Sequence, residues 1–429
     1  MLLTLSLLGA NDAQAFCGTY VGQVGADLYN NASQIAVARQ GTRTTLTLVN
    51  DFEGDASEFA IVVPVPEVLG AEDVAVVEPD VVTRVDAYSA PRLVRYECED
   101  FQWEYDAEAM DSGLTSEGGG GGNADDSVTV EAEFSVGEYD IVILSAEESA
   151  ALITWLNDNG YGVGTEAEDL LGEYLASGSK FFAAKVNLAN VPEGASYLSP
   201  LQFGYDSDVF SLPIRLGTLN SGGEQDLILY MLSDSGQTHI SNYPEVEVET
   251  GCMVDLGEWD SLGAFVDDRF KNALATAERP GWALEYGWTA SGCDPCADDP
   301  LADEDVQALG WEGEAWDAYF SRIHMRYGPE AVDQDLVFYA SGLYSTTQIR
   351  YIEYDRQLED RFPNCGLGWA TDPGTCEDGG TDPGTDPGTD DPGGTDWDQP
   401  AEPRNGCGVP VAPALGLALL GFLALRRRD

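Results

Sequence analysis

Eight cysteines and two histidines, set among many carboxylates, define the chemistry open to this chain. The cysteines are Cys17, Cys98, Cys252, Cys293, Cys296, Cys365, Cys376 and Cys407. Cys293 and Cys296 form a CxxC pair, a spacing shared by disulfides, zinc sites and redox centres. Neighbouring Asp294, Asp298 and Asp299 disfavour a thiolate, which weakens the redox reading. Zinc would need four ligands, and Cys365 with Cys376 is the second pair that could complete such a site. In an exported chain, disulfides are the first expectation. We expect Cys252 to bond to Cys293 or Cys296, or those two to each other, and Cys365 to bond to Cys376.

Other motifs carry less chemistry. Ser177-Gly-Ser-Lys180 has the S-x-x-K spacing of penicillin-recognising serine enzymes, but no S-x-N or K-T-G companion accompanies it. His239 and His324 lie far apart in sequence, and each reads as a packed or surface-bonded ring, not a base. Trp282, Trp288, Trp311 and Trp316 interleave with Glu285, Glu312 and Glu314, as sugar platforms beside paired acids would. Tryptophans at such spacings more often belong to a core. No catalytic residue and no cofactor is assigned from these motifs.

Composition narrows the class further. The 429 residues hold 76 acidic against 20 basic side chains, a formal net charge of -56. So acidic a surface repels phosphate backbones, which excludes nucleic acid as a partner. With 43% hydrophobic residues the chain has ample material for cores.

The two ends read as addresses. Leu2 to Leu8 is a short apolar run, and Ala13-Gln14-Ala15 suits signal peptidase, predicting cleavage between Ala15 and Phe16. Phe16 before Cys17 excludes a lipoprotein box. Near the other end, Cys407-Gly408 precedes an apolar segment, Val409 to Leu425, and then Arg426-Arg427-Arg428. A helix over that segment spans about 26 Å, enough for a thin bilayer core. The three arginines act as the stop that keeps the C-terminus in the cytoplasm and the body outside. This order of Gly-Cys motif, apolar helix and basic cluster resembles bacterial sorting signals of the MYXO-CTERM type, which implies processing near Cys407 by a sorting protease. The Asp-Pro-Gly repeats between them read as an extended acidic stalk. A calcium array is the sharper alternative there, although the ligand-loop spacing of calcium sites is missing.

Positioning these groups calls for an α+β body, mainly antiparallel and sandwich-like, with segregated helices. Alternation over Ser127–Phe134 and apolar runs at Phe59–Val63, Phe181–Leu188 and Asp226–Leu232 predict strands. Strands are also expected at Arg43–Asn50, Val81–Val85, Val209–Leu219, Leu336–Ala340 and Thr347–Tyr354. Capping-box spacings at Ser145–Glu148 and Thr165–Glu168 predict two helices. Helical spacing predicts another from Asp260 and one around Glu314 to Arg322 that presents Trp316, Phe320 and Ile323. The expected division is a signal peptide (1–15), a β-rich domain (16–140), an α+β domain (141–369), the stalk (370–406) and the anchor (407–429).

Several blocks in order carry a family resemblance: Phe59–Pro66, Tyr139–Ala146, Trp155–Tyr161, Thr250–Asp255, Cys293–Cys296 and Arg322–Tyr327. They resemble the uncharacterised bacterial family known as domain of unknown function 2330, over roughly residues 16–364. The resemblance implies an exported protein and supplies no activity, cofactor or site residue. The expectation is a surface-displayed, membrane-anchored protein with a binding or envelope-structural role. The alternatives are an extracytoplasmic carboxylate hydrolase acting on glycan or peptide, and a calcium-dependent adhesion module.

Overall fold

The structure is a computed structural model. It describes residues 19–20, 33–49, 60–96 and 128–366, with short breaks at 162, 188–189, 192–197, 221–222, 278, 295, 297 and 360. The cleavage site at Ala15 and Phe16, the stalk, Cys376, Cys407 and the anchor with Arg426, Arg427 and Arg428 lie outside the described residues.

The first strands are β1 (Thr19–Tyr20), β2 (Ser33–Gln40), β3 (Arg43–Val49), β4 (Ala60–Val65), β5 (Val74–Val76) and β6 (Arg92–Val94). Next come β7 (Val128–Val136), β8 (Tyr139–Ala146), β9 (Lys180–Val186), β10 (Leu201–Asp206), β11 (Ser211–Leu212) and β12 (Gln225–Ser233). The remainder are β13 (Thr238–Ile240), β14 (Met253–Val254), β15 (Gly281–Thr289), β16 (Tyr319–Tyr327), β17 (Leu336–Ala340), β18 (Thr347–Gln348) and β19 (Arg350–Glu353). The helices among the described residues are α1 (Pro79–Ser89), α2 (Ser149–Asp158), α3 (Glu168–Ala176), α4 (Leu262–Leu274) and α5 (Asp303–Ala308).

Two sheets dominate. One has eight strands in the order β18-β15-β16-β12-β2-β3-β10-β5; the other has five, β1-β4-β9-β8-β7. Their pairings are antiparallel apart from β12 against β2. The sheets face each other across one apolar core. Ile35, Val37, Leu229 and Ile323 come from the large sheet, and Ile61, Val63, Ile141 and Phe182 from the small one. Phe182 stacks on Phe203 across the gap at 4.7 Å. Outside the small sheet, α2 and α3 cover Ala60, Val62, Phe181 and Ala183. Outside the large sheet, α1 and α5 cover Ala36, Ala38, Tyr230 and Phe320, and α4 packs near Ala283 and Tyr351. The result is helix, sheet, sheet, helix. Strands buried on both faces must be apolar at successive positions, which is why β4 and β9 read as unbroken runs. β7 lies at a sheet edge and keeps the expected alternation, with Thr129, Glu131 and Glu133 exposed.

Several local expectations are corrected. Val81–Val85 is helical: Pro79 opens α1, and Val82, Val85, Tyr88 and Ser89 are buried at helical spacing. Glu314–Arg322 is a short 3-10 turn, Ala315–Asp317, running into β16. Phe320 and Ile323 suited one helix face, yet they serve opposite faces of a doubly buried strand. Val209–Leu219 is broken after the two residues of β11 by Pro213, which cannot donate to a ladder. Neither capping box forms. Ser145 donates to Glu131 instead, and a 3-10 turn at Thr165–Ala167 precedes α3. The division at residue 140 falls inside β8, which pairs with β7 and β9. The large sheet likewise mixes strands from both sides of that point.

Candidate functional site

The densest chemistry lies on the helix-covered face of the large sheet. In β16, Ile323, Met325 and Tyr327 enter the inter-sheet core. Period-2 alternation therefore turns Arg322, His324 and Arg326 toward the helices. The neighbouring strands supply acids: Asp226 from β12, and Glu285 from the bulge in β15 between Leu284 and Tyr286. A bulge re-aims a side chain relative to a regular strand, and Glu285 is 3% exposed beneath the helices. Helix α1 adds Asp86, and α4 adds Asp267 and Lys271.

These side chains form a continuous ladder of alternating charge. Arg322 Nη1 donates to Asp86 at 2.6 Å, and its Nε donates to Glu285 at 2.7 Å. His324 Nδ1 lies 2.9 Å from the other Glu285 oxygen, and its Nε2 lies 3.0 Å from Asp226 Oδ1. Arg326 clamps Asp226 through Nε and Nη2 at 2.6 and 2.7 Å, and reaches Asp267 at 2.8 Å. Lys271 completes the series on Asp267 at 2.7 Å. Aromatic faces hold the cations as well: Arg322 lies over Tyr230, and His324 stacks on Phe270 with centroids 3.9 Å apart. Tyr230 also donates to Asp86 at 2.7 Å.

Protonation follows from the packing. Burial pushes the Glu285 carboxyl up, but His324 and Arg322 outweigh it and hold it at about 2. Asp226 behaves alike: burial raises it, and His324 and Arg326 bring it down to about 2. Burial lowers the pKa of His324, yet Glu285 and Asp226 together raise it above the ordinary value. Each imidazole nitrogen faces a carboxylate oxygen, so both carry protons and the ring is an imidazolium. An imidazolium with both N–H groups engaged has no lone pair to take a proton from a substrate. With His324 charged, four acids face four bases and the ladder is neutral. Its chemical capacity is fixed charge. The ladder ties two helices to three strands.

The other sequence-derived candidates are dispersed. Ser177 caps the end of α3 by donating to the Tyr174 carbonyl at 2.7 Å, and Gly178 follows with φ of +87°, as a helix terminator does. Trp282 and Trp311 are buried, Trp288 packs partly against the α1/α5 cluster, and Trp316 is 63% exposed. His239 sits between Gln237 and Glu245 and stacks on Tyr339 at 5.4 Å.

The cysteines pair differently from part of the expectation. Cys252 joins Cys365, not Cys293 or Cys296, and so Cys365 does not pair with Cys376. Parallel pairing of β14 with β19 and a backbone bond from Cys365 to Met253 bring the two sulfurs together. Cys293 and Cys296 join each other.

One surface feature escaped the sequence reading. β17 is the middle strand of the sheet β11-β17-β13. Its Leu336 and Phe338 are buried while Val337 and Tyr339 are exposed. The following loop lies along Gln237, through bonds from Gln237 N to Leu343 O and from Ser341 N to Gln237 O, both at 2.8 Å. That loop exposes Leu343 and Tyr344. Alternation in Leu336–Ala340 with large apolar residues at both parities was the available signal.

The layered sheets and the buried ladder define an α+β sandwich protein. The chain belongs to the family described as "uncharacterized protein conserved in bacteria", domain of unknown function 2330, whose model matches residues 11–339. The ladder falls wholly within the match, and Cys365 lies beyond it. No curated protein and no solved structure matches the chain.

Proposed function

We propose that the protein is an exported binding or envelope-structural module, held outside the cytoplasmic membrane by its apolar C-terminal segment and acidic stalk. The observation that carries the binding role is the exposed apolar surface of Val337, Tyr339, Leu343 and Tyr344. Exposed aromatic and large apolar residues, here on β17 and the loop after it, mark interaction surfaces more often than chance. A disulfide closing a separation of 113 residues suits an oxidising compartment. The rival hydrolase needs a carboxyl with a raised pKa beside a second acid. Glu285 is driven the other way by its partners, and Asp335, which burial raises, is engaged by the Tyr174 hydroxyl and the Arg215 backbone N–H.

Two measurements test this. Protease added to intact cells, with any outer membrane permeabilised, should shave the body while a cytosolic control survives; equal protection of both overturns the location. For binding, residues 16–369, without the stalk and the anchor, are sedimented with washed envelopes from the host. Tyr339→Ser with Tyr344→Ser should weaken co-sedimentation by about tenfold or more. Unchanged sedimentation would remove this surface from the account.

A further inference from the structure

The proposed function leaves the second disulfide without a role. The two bonds differ in the properties that govern exchange. Cys252 is 1% exposed and Cys365 half-buried, both within the cluster around α4, and their bond spans 113 positions. The Cys293–Cys296 bond spans 3 positions on the loop leaving β15. Cys296 is exposed there, and Cys293 is half-buried against the α1/α5 cluster. Exchange requires a thiolate to reach a sulfur, so the bond that includes the exposed Cys296 reacts sooner than the one between a buried and a half-buried cysteine. Cutting a short loop also releases little chain restraint, whereas cutting the long one releases much. The loop has further anchors: Gly292 O accepts from Tyr88 at 2.8 Å and from Tyr286 at 3.3 Å, and Asp294 O accepts from Gln348. Reduction should therefore leave the body folded.

We propose that the Cys293–Cys296 bond is a thiol–disulfide exchange site, reduced in the folded protein by an external dithiol whose reactive thiolate is flanked by positive charge. The donor thiolate attacks Cys296 Sγ, a donor–Cys296 bond forms, and the S–S bond breaks with Cys293 taking a proton from water as it leaves, because the neighbouring carboxylates disfavour a free thiolate. The donor's second thiol then attacks its own sulfur in the mixed disulfide. Cys296 is released and protonated, and the donor departs as a disulfide. Two electrons and two protons reach the protein, and the donor is oxidised by the same amount. Charge sets the selectivity. Asp294, Asp298 and Asp299 are exposed around the site, on a chain of net charge -56. An anionic thiolate is repelled, and one neutralised by an adjacent ammonium is not. Salt screens that difference.

The test uses the folded full chain in its oxidised form and three small thiols. These are cysteamine, 2-mercaptoethanol and 2-mercaptoethanesulfonate, whose thiolate forms carry net charges of zero, minus one and minus two. Each rate is divided by the rate on an uncharged small disulfide, which removes intrinsic nucleophilicity. Timed alkylation and peptide mapping then read every cysteine. We expect Cys293 and Cys296 to be labelled at least about tenfold sooner than Cys252 and Cys365. The order should be cysteamine, mercaptoethanol, mercaptoethanesulfonate, with the spread collapsing in high salt and the far-UV circular dichroism unchanged. Simultaneous labelling of all four, labelling only as the fold is lost, or rates blind to thiol charge would each overturn the proposal. The double variant Cys293→Ser with Cys296→Ser guards against misassignment. It should stay folded and lose the fast phase, and a fast phase that persists would contradict the site.

Discussion

The two faces of β16 are held by different physics. One face puts Ile323, Met325 and Tyr327 into the inter-sheet core, where stabilisation grows with apolar area and declines gradually with lost methyl groups. The other puts Arg322, His324 and Arg326 into a charge ladder, where each ion tolerates burial only because its neighbours are present. The apolar face supplies stability. The charged face dictates which elements sit together, because α1 and α4 must deliver Asp86 and Asp267 to meet it.

Removing one ion from the ladder should break the contrast most sharply. Glu285→Gln leaves Arg322 and His324 facing a neutral amide, and should cost about 3–5 kcal/mol in denaturant unfolding. A loss below about 1 kcal/mol would mean that the ladder is not electrostatically coupled. On the apolar face, Leu229→Ala opens a cavity between the sheets and should cost about 3 kcal/mol, with no dependence on pH.

The pH dependence separates the faces further. Glu285 and Asp226 titrate near 2 when folded, below their unfolded values. Their contribution is present above the ordinary carboxylate range and is lost as pH falls toward about 2. His324 is shifted upward, so its contribution is complete below its unfolded value and is lost as pH rises through the folded one. The stability gap between the natural chain and His324→Gln should therefore be widest in mildly acid solution and narrow as pH rises. A gap that widens with pH would reverse the assignment of charge. At the end of the ladder the effect should be smallest. Lys271 is 59% exposed, and Lys271→Ala should cost less than about 0.5 kcal/mol, diminishing with salt.

These faces also explain what was legible in the sequence. Apolar runs such as Phe59–Val63 announce strands because no helix of that length needs every position apolar. The same burial on both sides hid β16: Phe320 and Ile323 fit a helix stripe, and they separate only once two cores exist. A period-2 series of bases, Arg322, His324 and Arg326, between apolar residues was the signal for a strand with a charged face. Its acidic partners were not legible, since Asp86, Asp226, Glu285 and Asp267 are four among 76 acidic residues drawn from four separate elements. In α1 the β-branched run Val81–Val85 favours a strand locally, and burial of Val82, Val85 and Tyr88 overrides it. Cysteine pairing depends on which distant segments the sheets align, and spacing alone does not determine it.

His324 is an imidazolium at neutral pH, locked between Glu285 and Asp226. Nitrogen-resolved NMR of the His324 ring, followed through a pH titration, measures this directly. The account predicts two protonated ring nitrogens at neutral pH, slow exchange of both protons, and a pKa above the ordinary histidine value of about 6.5. A neutral ring at pH 7, with one nitrogen unprotonated, would contradict it.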